Sequence, residues 1–319
     1  MQEIKLKIAN IGIRLQWEQI TIEDLEHIFY KDFVFKDEQS TEVDLRIHRG
    51  GFPEYPQEEM IFDAMENRWR LYNYNGKYVM EIFSATPPHP KETVALIEKD
   101  FSRGQVWAKP KDRGVRREEL GFRKKELGVR REPSNLSLIN LMRPLAEILV
   151  INHLSKDKGL LTHALGVDDE GEGMVFFGAS GAGKSTLANL YKQYSKNTVI
   201  LNDERLIIKK EKHKFYLYGT PWPGGGFTAS NHKVELKKVF FIKHGRQNRV
   251  IPEPTILLMK RMFQQLFLPF WDKAGIDFTL RFCEELIRNI PSHRLAFVKD
   301  EKVIDFVRKA RKNERGIRN

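Results

Sequence analysis

Apolar and polar residues alternate through the first part of the chain. Glu3 to Gln16 and Glu42 to His48 carry the pattern of half-buried strands. Arg68–Tyr74 and Tyr78–Phe83 are two more strand-like runs, and they flank Asn75-Gly76, a pair that favours the tight primed turn of a hairpin. Ile22–Phe29 and Glu92–Lys99 predict short helices. Residues 1–108 therefore read as a small β-rich α+β domain. No catalytic spacing stands out in it; Trp69, Trp107, His27, His48 and His89 read as packing or surface residues.

The period changes downstream. From Ser134 to Leu154, residues Leu138, Leu141, Leu145, Ile148 and Leu149 repeat at helical spacing, with Pro144 placed to kink or restart the helix. A strand-like run, Leu160–Ala164, leads to a polar turn at Asp168–Gly173. The apolar run Met174–Phe177 then predicts a short buried strand, and Thr198–Leu201 predicts another.

A length of 319 residues suggests about two domains. Hydrophobic residues make up 41% and aromatic residues 11%, enough for an ordinary core and against wholesale disorder. Mean hydropathy is −0.49, and no apolar run approaches the ~18 residues that a membrane-spanning helix requires. The first residues lack the continuous apolar stretch of a signal peptide. A single cysteine, Cys283, excludes an intrachain disulfide and a cysteine-rich zinc site. The expectation is a cytoplasmic protein without a membrane partner.

The net charge of +11 invites a nucleic-acid reading until it is located. Lys109–Glu132 holds ten basic and five acidic residues, and Arg308–Asn319 holds six basic and one acidic, so each contributes +5. The first stretch is a seven-residue repeat beginning at Gly114, Gly121 and Gly128. Each glycine costs a helix ~1 kcal/mol relative to alanine, which favours a solvated linker. The alternative is a basic arm that docks an acidic partner or nucleic acid. The tail, with no aromatic residue on which a base could stack, reads as a frayed terminus. The resulting division is 1–108, a linker at 109–133, a second domain at 134–307 and a basic tail at 308–319.

The chemistry is concentrated after the Met174–Phe177 strand. Gly178-Ala179-Ser180-Gly181-Ala182-Gly183-Lys184-Ser185-Thr186 has the G-x-x-x-x-G-K-S pattern of a phosphate-binding loop. Its glycines let consecutive backbone N–H groups face phosphate oxygens. Lys184 can reach the β and γ oxygens, and Ser185 can ligate Mg²⁺. The following residues, Leu187–Tyr191, read as a helix whose N-terminus favours anions. The Thr198–Leu201 strand ends at Asn202-Asp203-Glu204-Arg205, with Asp203 placed 19 positions after Lys184. An acid at the end of a strand suits a metal-supporting or proton-accepting role. No L-S-G-G-Q-like signature and no N-K-x-D motif is present, against the transporter-ATPase and GTPase classes.

Together with Thr162-His163-Ala164, Tyr218-Gly219-Thr220-Pro221-Trp222-Pro223-Gly224 and the apolar run Val234–Ile242, these motifs resemble the HPr kinase/phosphorylase-type kinase domain, related to the phosphoenolpyruvate carboxykinase fold. The resemblance covers roughly residues 136–300. It implies an α/β P-loop kinase domain preceded by the small β-rich domain. It implies ATP and Mg²⁺, with Asp203 as catalytic base and metal-linked acid and Glu204 as a metal ligand. His163 would lie near the phosphates, orienting Asp203 or the γ-phosphate. Gly219–Gly226 would form a substrate-facing loop. The phosphoacceptor would be a serine of a small protein or peptide, or a small-molecule alcohol. Relatives are often oligomeric. Glu204 stands in place of a second aspartate, and Gly225 stands where relatives often carry a glutamate, so no role for that acid transfers. Lys243, Arg246, Arg249 and Arg205 are candidates to offset charge on the phosphoryl group. Two other readings are a regulatory ATPase without phosphotransfer and a nucleic-acid-binding protein acting through the basic linker. A phosphoenolpyruvate carboxykinase would be longer and would carry a carboxylate-substrate motif.

Overall fold

Alternating apolar residues at the N-terminus build one face of a sheet. In a computed structural model, strands β1 (Gln2–Ile8) and β2 (Ile11–Trp17) bury Ile4, Leu6, Ile8, Ile11, Ile13 and Leu15. The structure describes residues 1–18, 22–23, 30–36, 40–55, 59–64, 68–84, 87–109, 136–137, 142–226 and 228–310. The expected strand stretch 3–16 is thus a hairpin, turned at Ala9 and Asn10 with φ of 48° and 63°. The chain divides into two compact units, Met1–His153 and Leu154–Asn319.

In the first unit, Ile22–Glu23 (β3) pairs in parallel with Leu136–Ser137 (β10). An eight-stranded sheet takes in β1, β2, β4 (Val43–Arg49), β5 (Glu59–Ala64), β6 (Trp69–Tyr74), β7 (Lys77–Phe83), β8 (Lys91–Glu98) and β9 (Arg103–Ala108). Its order is β1-β2-β4-β9-β8-β7-β6-β5. Asn75 and Gly76, both at positive φ, make the expected tight hairpin between β6 and β7.

Two expected helices are corrected. Glu92–Lys99 falls on strand β8, paired on both sides by β7 and β9; its β-branched Thr93, Val94 and Ile97 fit a strand interior better than a helix. Ile22–Glu23 is also strand, and residues 24–29 lie outside the described residues. Helix α1 (Leu145–Leu154) starts directly after Pro144, whose carbonyl accepts from Ile148 N–H; of the expected helical stretch upstream of it, Leu136–Ser137 is instead strand β10, and residues 134–135 and 138–141 lie outside the described residues. The boundary between the two units falls near the end of α1, whereas the composition shift lies in the 109–133 repeat. Residues 110–133 of that repeat lie outside the described residues.

The second unit contains β11 (Gly159–Asp169), β12 (Glu172–Phe177), α2 (Lys184–Tyr194), β13 (Thr198–Asn202), β14 (Arg205–Glu211), β15 (Lys214–Tyr218) and β16 (Lys233–His244). It continues with β17 (Arg249–Ile251), α3 (Thr255–Phe263), α4 (Lys273–Asn289), β18 (Ser292–Phe297) and α5 (Lys302–Ala310). Strand β12 pairs antiparallel with β11 and parallel with β16, while β14 and β15 connect the other halves of β11 and β16. These five strands close a ring. Alternate residues of β12 and β16 face opposite layers. Val175, Phe177, Val239 and Phe241 pack with Leu258 and Met262 of α3 and Phe282 and Leu286 of α4. Met174, Phe176, Phe240 and Ile242 pack with Leu187 and Tyr191 of α2 and Val303 and Val307 of α5. Both faces are covered, which explains why Met174–Phe177 is apolar without alternation. The architecture is mixed α/β, as expected at that level. Among the described residues no helix is long and apolar enough to cross a membrane.

The start of the basic tail belongs to the folded body. Arg308 lies in α5 and donates two hydrogen bonds to Asp169, at 2.9 and 2.6 Å, and one to Ser195 Oγ at 2.7 Å. The Asp169 carboxylate is 1% exposed and also accepts from Thr198 Oγ1. This pairing raises the Arg308 pKa above its ordinary value. The frayed-terminus expectation is therefore corrected for 308–310, because a buried carboxylate holds the helix end; residues 311–319 lie outside the described residues. Replacing Arg308 by methionine leaves Asp169 buried without its cation. The expected loss is about 2 kcal/mol in urea unfolding, against a few tenths for Lys309→Met on the exposed side of the same helix.

Candidate functional site

The phosphate-loop motif folds as strand, glycine loop and helix. Strand β12 ends at Phe177, and α2 begins at Lys184 behind Gly183, whose φ is 105°. A side chain on Gly183 would be strained by that φ, and its Cβ would sit 2.6 Å from the Phe297 ring. Gly181 is also at positive φ, and its carbonyl lies 2.9 Å from His244 Nε2 at the end of β16. Lys184 is buried and donates to the Gly178 carbonyl at 2.6 Å, spanning the loop from end to start. Burial pushes the Lys184 pKa down, and the charges of Glu204 and Asp203 oppose that shift. Ala179 and Ser180 are exposed on the loop, Ser185 is exposed in the first turn of α2, and Thr186 is half-buried.

The acidic turn is organised by a residue that motif reading passed over. Asn202, fully buried, ends β13. Its Oδ1 accepts from the backbone N–H groups of Glu204 and Arg205, each at 2.7 Å. Its Nδ2 donates to the Thr220 carbonyl at 3.0 Å. Thr220 Oγ1 in turn donates to the Arg205 carbonyl at 2.7 Å. Asn202 thus clasps the acidic turn to the Gly219–Gly226 loop. The signal was present, since asparagine after an apolar strand is a turn former with both donor and acceptor.

The two acids meet different partners. Asp203 is 2% exposed; its Oδ1 accepts from Gly224 N–H at 3.1 Å and its Oδ2 from Gly226 N–H at 2.8 Å. A Cβ on Gly226 would lie 2.2 Å from Asp203 Oδ2, so only glycine lets the loop come this close. The Glu204 side chain is 30% exposed. His163 Nε2 lies 3.1 Å from Glu204 Oε2, and Arg205 donates to Oε1 at 2.5 Å. The hydrogen bond with His163 lowers the Glu204 pKa to about 2, helped by the charges of Arg205 and Lys184. His163, opposite Arg205 in the β11–β14 ladder, therefore holds Glu204 rather than Asp203. The Arg205 guanidinium lies 4.7 Å over the Phe267 ring.

Of the four candidate cations, Arg205 bonds an acid of this turn. Lys243 lies near the end of β16, Arg246 in the following turn and Arg249 at the start of edge strand β17. Among the described residues no three His, Cys, Asp or Glu side chains form a preassembled metal cluster. Ser185 and Glu204 still fit a Mg²⁺ bound with phosphates, which needs only one or two protein oxygens; one is an exposed hydroxyl and the other a carboxylate held ionised. No protein-family model matches this chain, and no curated protein matches it at a significant level.

The folded-state pKa of Glu204 lies below its ordinary 4.5. Its contribution to stability is therefore present above about pH 4.5 and is lost as pH falls toward 2. With the partial exposure of the group allowed for, wild type should lose about 1–2 kcal/mol more than Glu204→Gln between pH 5 and 2. Urea titrations at fixed pH steps check this. Parallel pH profiles for the two proteins would show that the His163–Glu204 pair contributes nothing.

Proposed function

We propose that the second unit is an ATP- and Mg²⁺-dependent phosphotransferase of the HPr-kinase-like type, acting on a hydroxyl of a protein, peptide or small molecule. The observation that carries this reading is the strand, glycine loop and helix geometry, with buried Lys184 spanning the loop to the Gly178 carbonyl. Lys184, at the start of the glycine loop's helix, feels the charges of both Glu204 and Asp203. Backbone N–H groups of residues 178–185 bind the phosphates, and Lys184 leaves the Gly178 carbonyl to meet the β and γ oxygens.

Mg²⁺ would be held by Ser185 and Glu204 and would supply charge neutralisation on the phosphate oxygens. Glu204 suits a metal better than a proton, since its pKa of about 2 makes it a weak base. Asp203 is then the group that accepts the acceptor's proton. The acceptor oxygen bonds to the γ-phosphorus, the bond to the bridging oxygen breaks, and ADP leaves. Positioning and electrostatics account for most of such a transfer.

A second reading, a nucleotide-binding switch without phosphotransfer, draws on the sealed state of the Asp203 carboxylate. The nucleic-acid reading rests on the basic repeat, whose residues 110–133 lie outside the described residues.

Incubation with γ-labelled ATP, Mg²⁺ and candidate hydroxyl acceptors separates the first two. Labelled acceptor is expected from wild type. Lys184→Ala should weaken MgATP binding about 10- to 100-fold, and Asp203→Asn should lower transfer about 100-fold or more while binding persists. Nucleotide binding with no transfer to any acceptor, in wild type and Asp203→Asn alike, would defeat the phosphotransferase.

A further inference from the structure

The carboxylate given the proton-accepting role is shut away from any acceptor. Both Asp203 oxygens accept backbone N–H groups from the Gly224–Gly226 strap, and the residue is 2% exposed. An acceptor hydroxyl needs to come within hydrogen-bond reach of that carboxylate. The strap itself is held from behind. Thr228 Oγ1 donates to the Gly226 carbonyl at 3.1 Å, and Lys192 Nζ donates to Thr228 Oγ1 at 2.5 Å. Lys192 stands in the last turn of α2, the helix that begins at Lys184. Lys192 and Thr228 therefore hold the carbonyl of Gly226, the residue whose N–H is bonded to Asp203, and so tie the phosphate-loop helix mechanically to the strap over the acidic turn. Side chains on the strap would prevent closure: a Cβ on Gly224 would lie 2.9 Å from Glu204 Oε2, and one on Gly226 would overlap Asp203. Gly225, between them, faces open space.

We propose that Lys192 and Thr228 are positioning residues that hold the Gly224–Gly226 strap closed over Asp203, so that an acceptor reaches the carboxylate only when this latch lets go. The inference rests on the phosphotransferase reading for its consequence and on the hydrogen bonds for the latch itself. Neither latch residue touches the phosphate loop's own residues in the bonds described above. Nucleotide affinity is thereby separable from strap opening.

The test uses the full chain and NMR-detected amide exchange at Gly224 and Gly226, with Val175 in the buried strand β12 as internal control. Thr228→Val should speed exchange at both glycines about fivefold and leave Val175 unchanged, because one link of the chain is lost. Thr228→Ser, which keeps the hydroxyl, should restore the wild-type rate. Lys192→Met, an exposed change that avoids the risk of misfolding, should speed exchange about twofold to fivefold. In the same variants, binding of Mg²⁺ with a non-hydrolysable ATP analogue should stay at the wild-type affinity. Acceptor-independent ATP hydrolysis should rise several-fold as water gains Asp203. Unchanged glycine exchange in both Thr228→Val and Lys192→Met overturns the latch. Faster exchange with unchanged hydrolysis, in a protein that binds the nucleotide, overturns its role as a gate. No nucleotide binding by wild type brings down the phosphotransferase reading and the gate with it, and exchange alone then judges the strap.

Discussion

The parallel pairing of β12 with β16 is the constraint on which the rest of the second unit depends. Met174, Val175, Phe176 and Phe177 register with Lys238, Val239, Phe240 and Phe241. In that register Phe176 stacks on Phe240 and Phe177 on Phe241, with ring centroids 5.2 and 5.3 Å apart, on opposite faces of the sheet. A slip of one residue would turn every side chain to the wrong layer and offer α2 and α5 the surface shaped for α3 and α4. The same register brings the end of β12 beside the end of β16. There Ile242 and His244 border the glycine loop, and Phe297 of β18 closes over Gly183. The loop's geometry is therefore set by hydrophobic packing that has no chemistry of its own.

On that frame, the polar turn after β13 is satisfied almost wholly from within. Asn202 has the one side chain of its size that can accept from two backbone N–H groups and still donate to a carbonyl. An ionised aspartate there would face the Thr220 carbonyl with no hydrogen to offer. Leaving such buried groups unpaired costs about 1–3 kcal/mol each, so the clasp between the acidic turn and the Thr220 segment is one cooperative unit. The glycines of the loop follow from it. Once Thr220 is tied to Asn202 and Arg205, the chain beyond it runs against Asp203 and Glu204, and positions 224 and 226 leave no room for a Cβ.

Much of this was legible from residue order, and the exceptions have physical causes. The hairpin at Asn75-Gly76, the buried strand Met174–Phe177 and the loop-to-helix step at Lys184 depend on local chemistry, and the structure has them where they were expected. Glu92–Lys99 misled because Thr93-Val94-Ala95-Leu96-Ile97 lacks strict alternation. It is a central strand with neighbours on both sides, and only the tertiary pairing decides that. Arg308 looked like tail because its partner, Asp169, is 139 positions away along the chain. His163 lies beside Glu204, and which of the two acids it meets depends on the register of β11 against β14, which no motif encodes. The sealing of Asp203 had a partial signal in the glycines at 224, 225 and 226, which motif reading assigned to a substrate-facing turn.

The adjacent carboxylates illustrate how one turn can prepare two different acids. Glu204 is bonded to His163 and lies in the field of the Arg205 and Lys184 cations, and it stays ionised far below neutral pH. Asp203, its neighbour, meets backbone N–H groups supplied by a glycine strap. The first arrangement is rigid: Arg205 is pinned on Phe267, and His163 sits in the ladder of a buried sheet. The second depends on a loop, and loops open at lower free-energy cost than strands. A rigid anion suits the holding of a cation. A carboxylate covered by a latched strap suits, on the reading proposed above, contact with a partner that arrives and departs. The two acids differ by one methylene, and the difference in their surroundings, more than that methylene, separates what each can do.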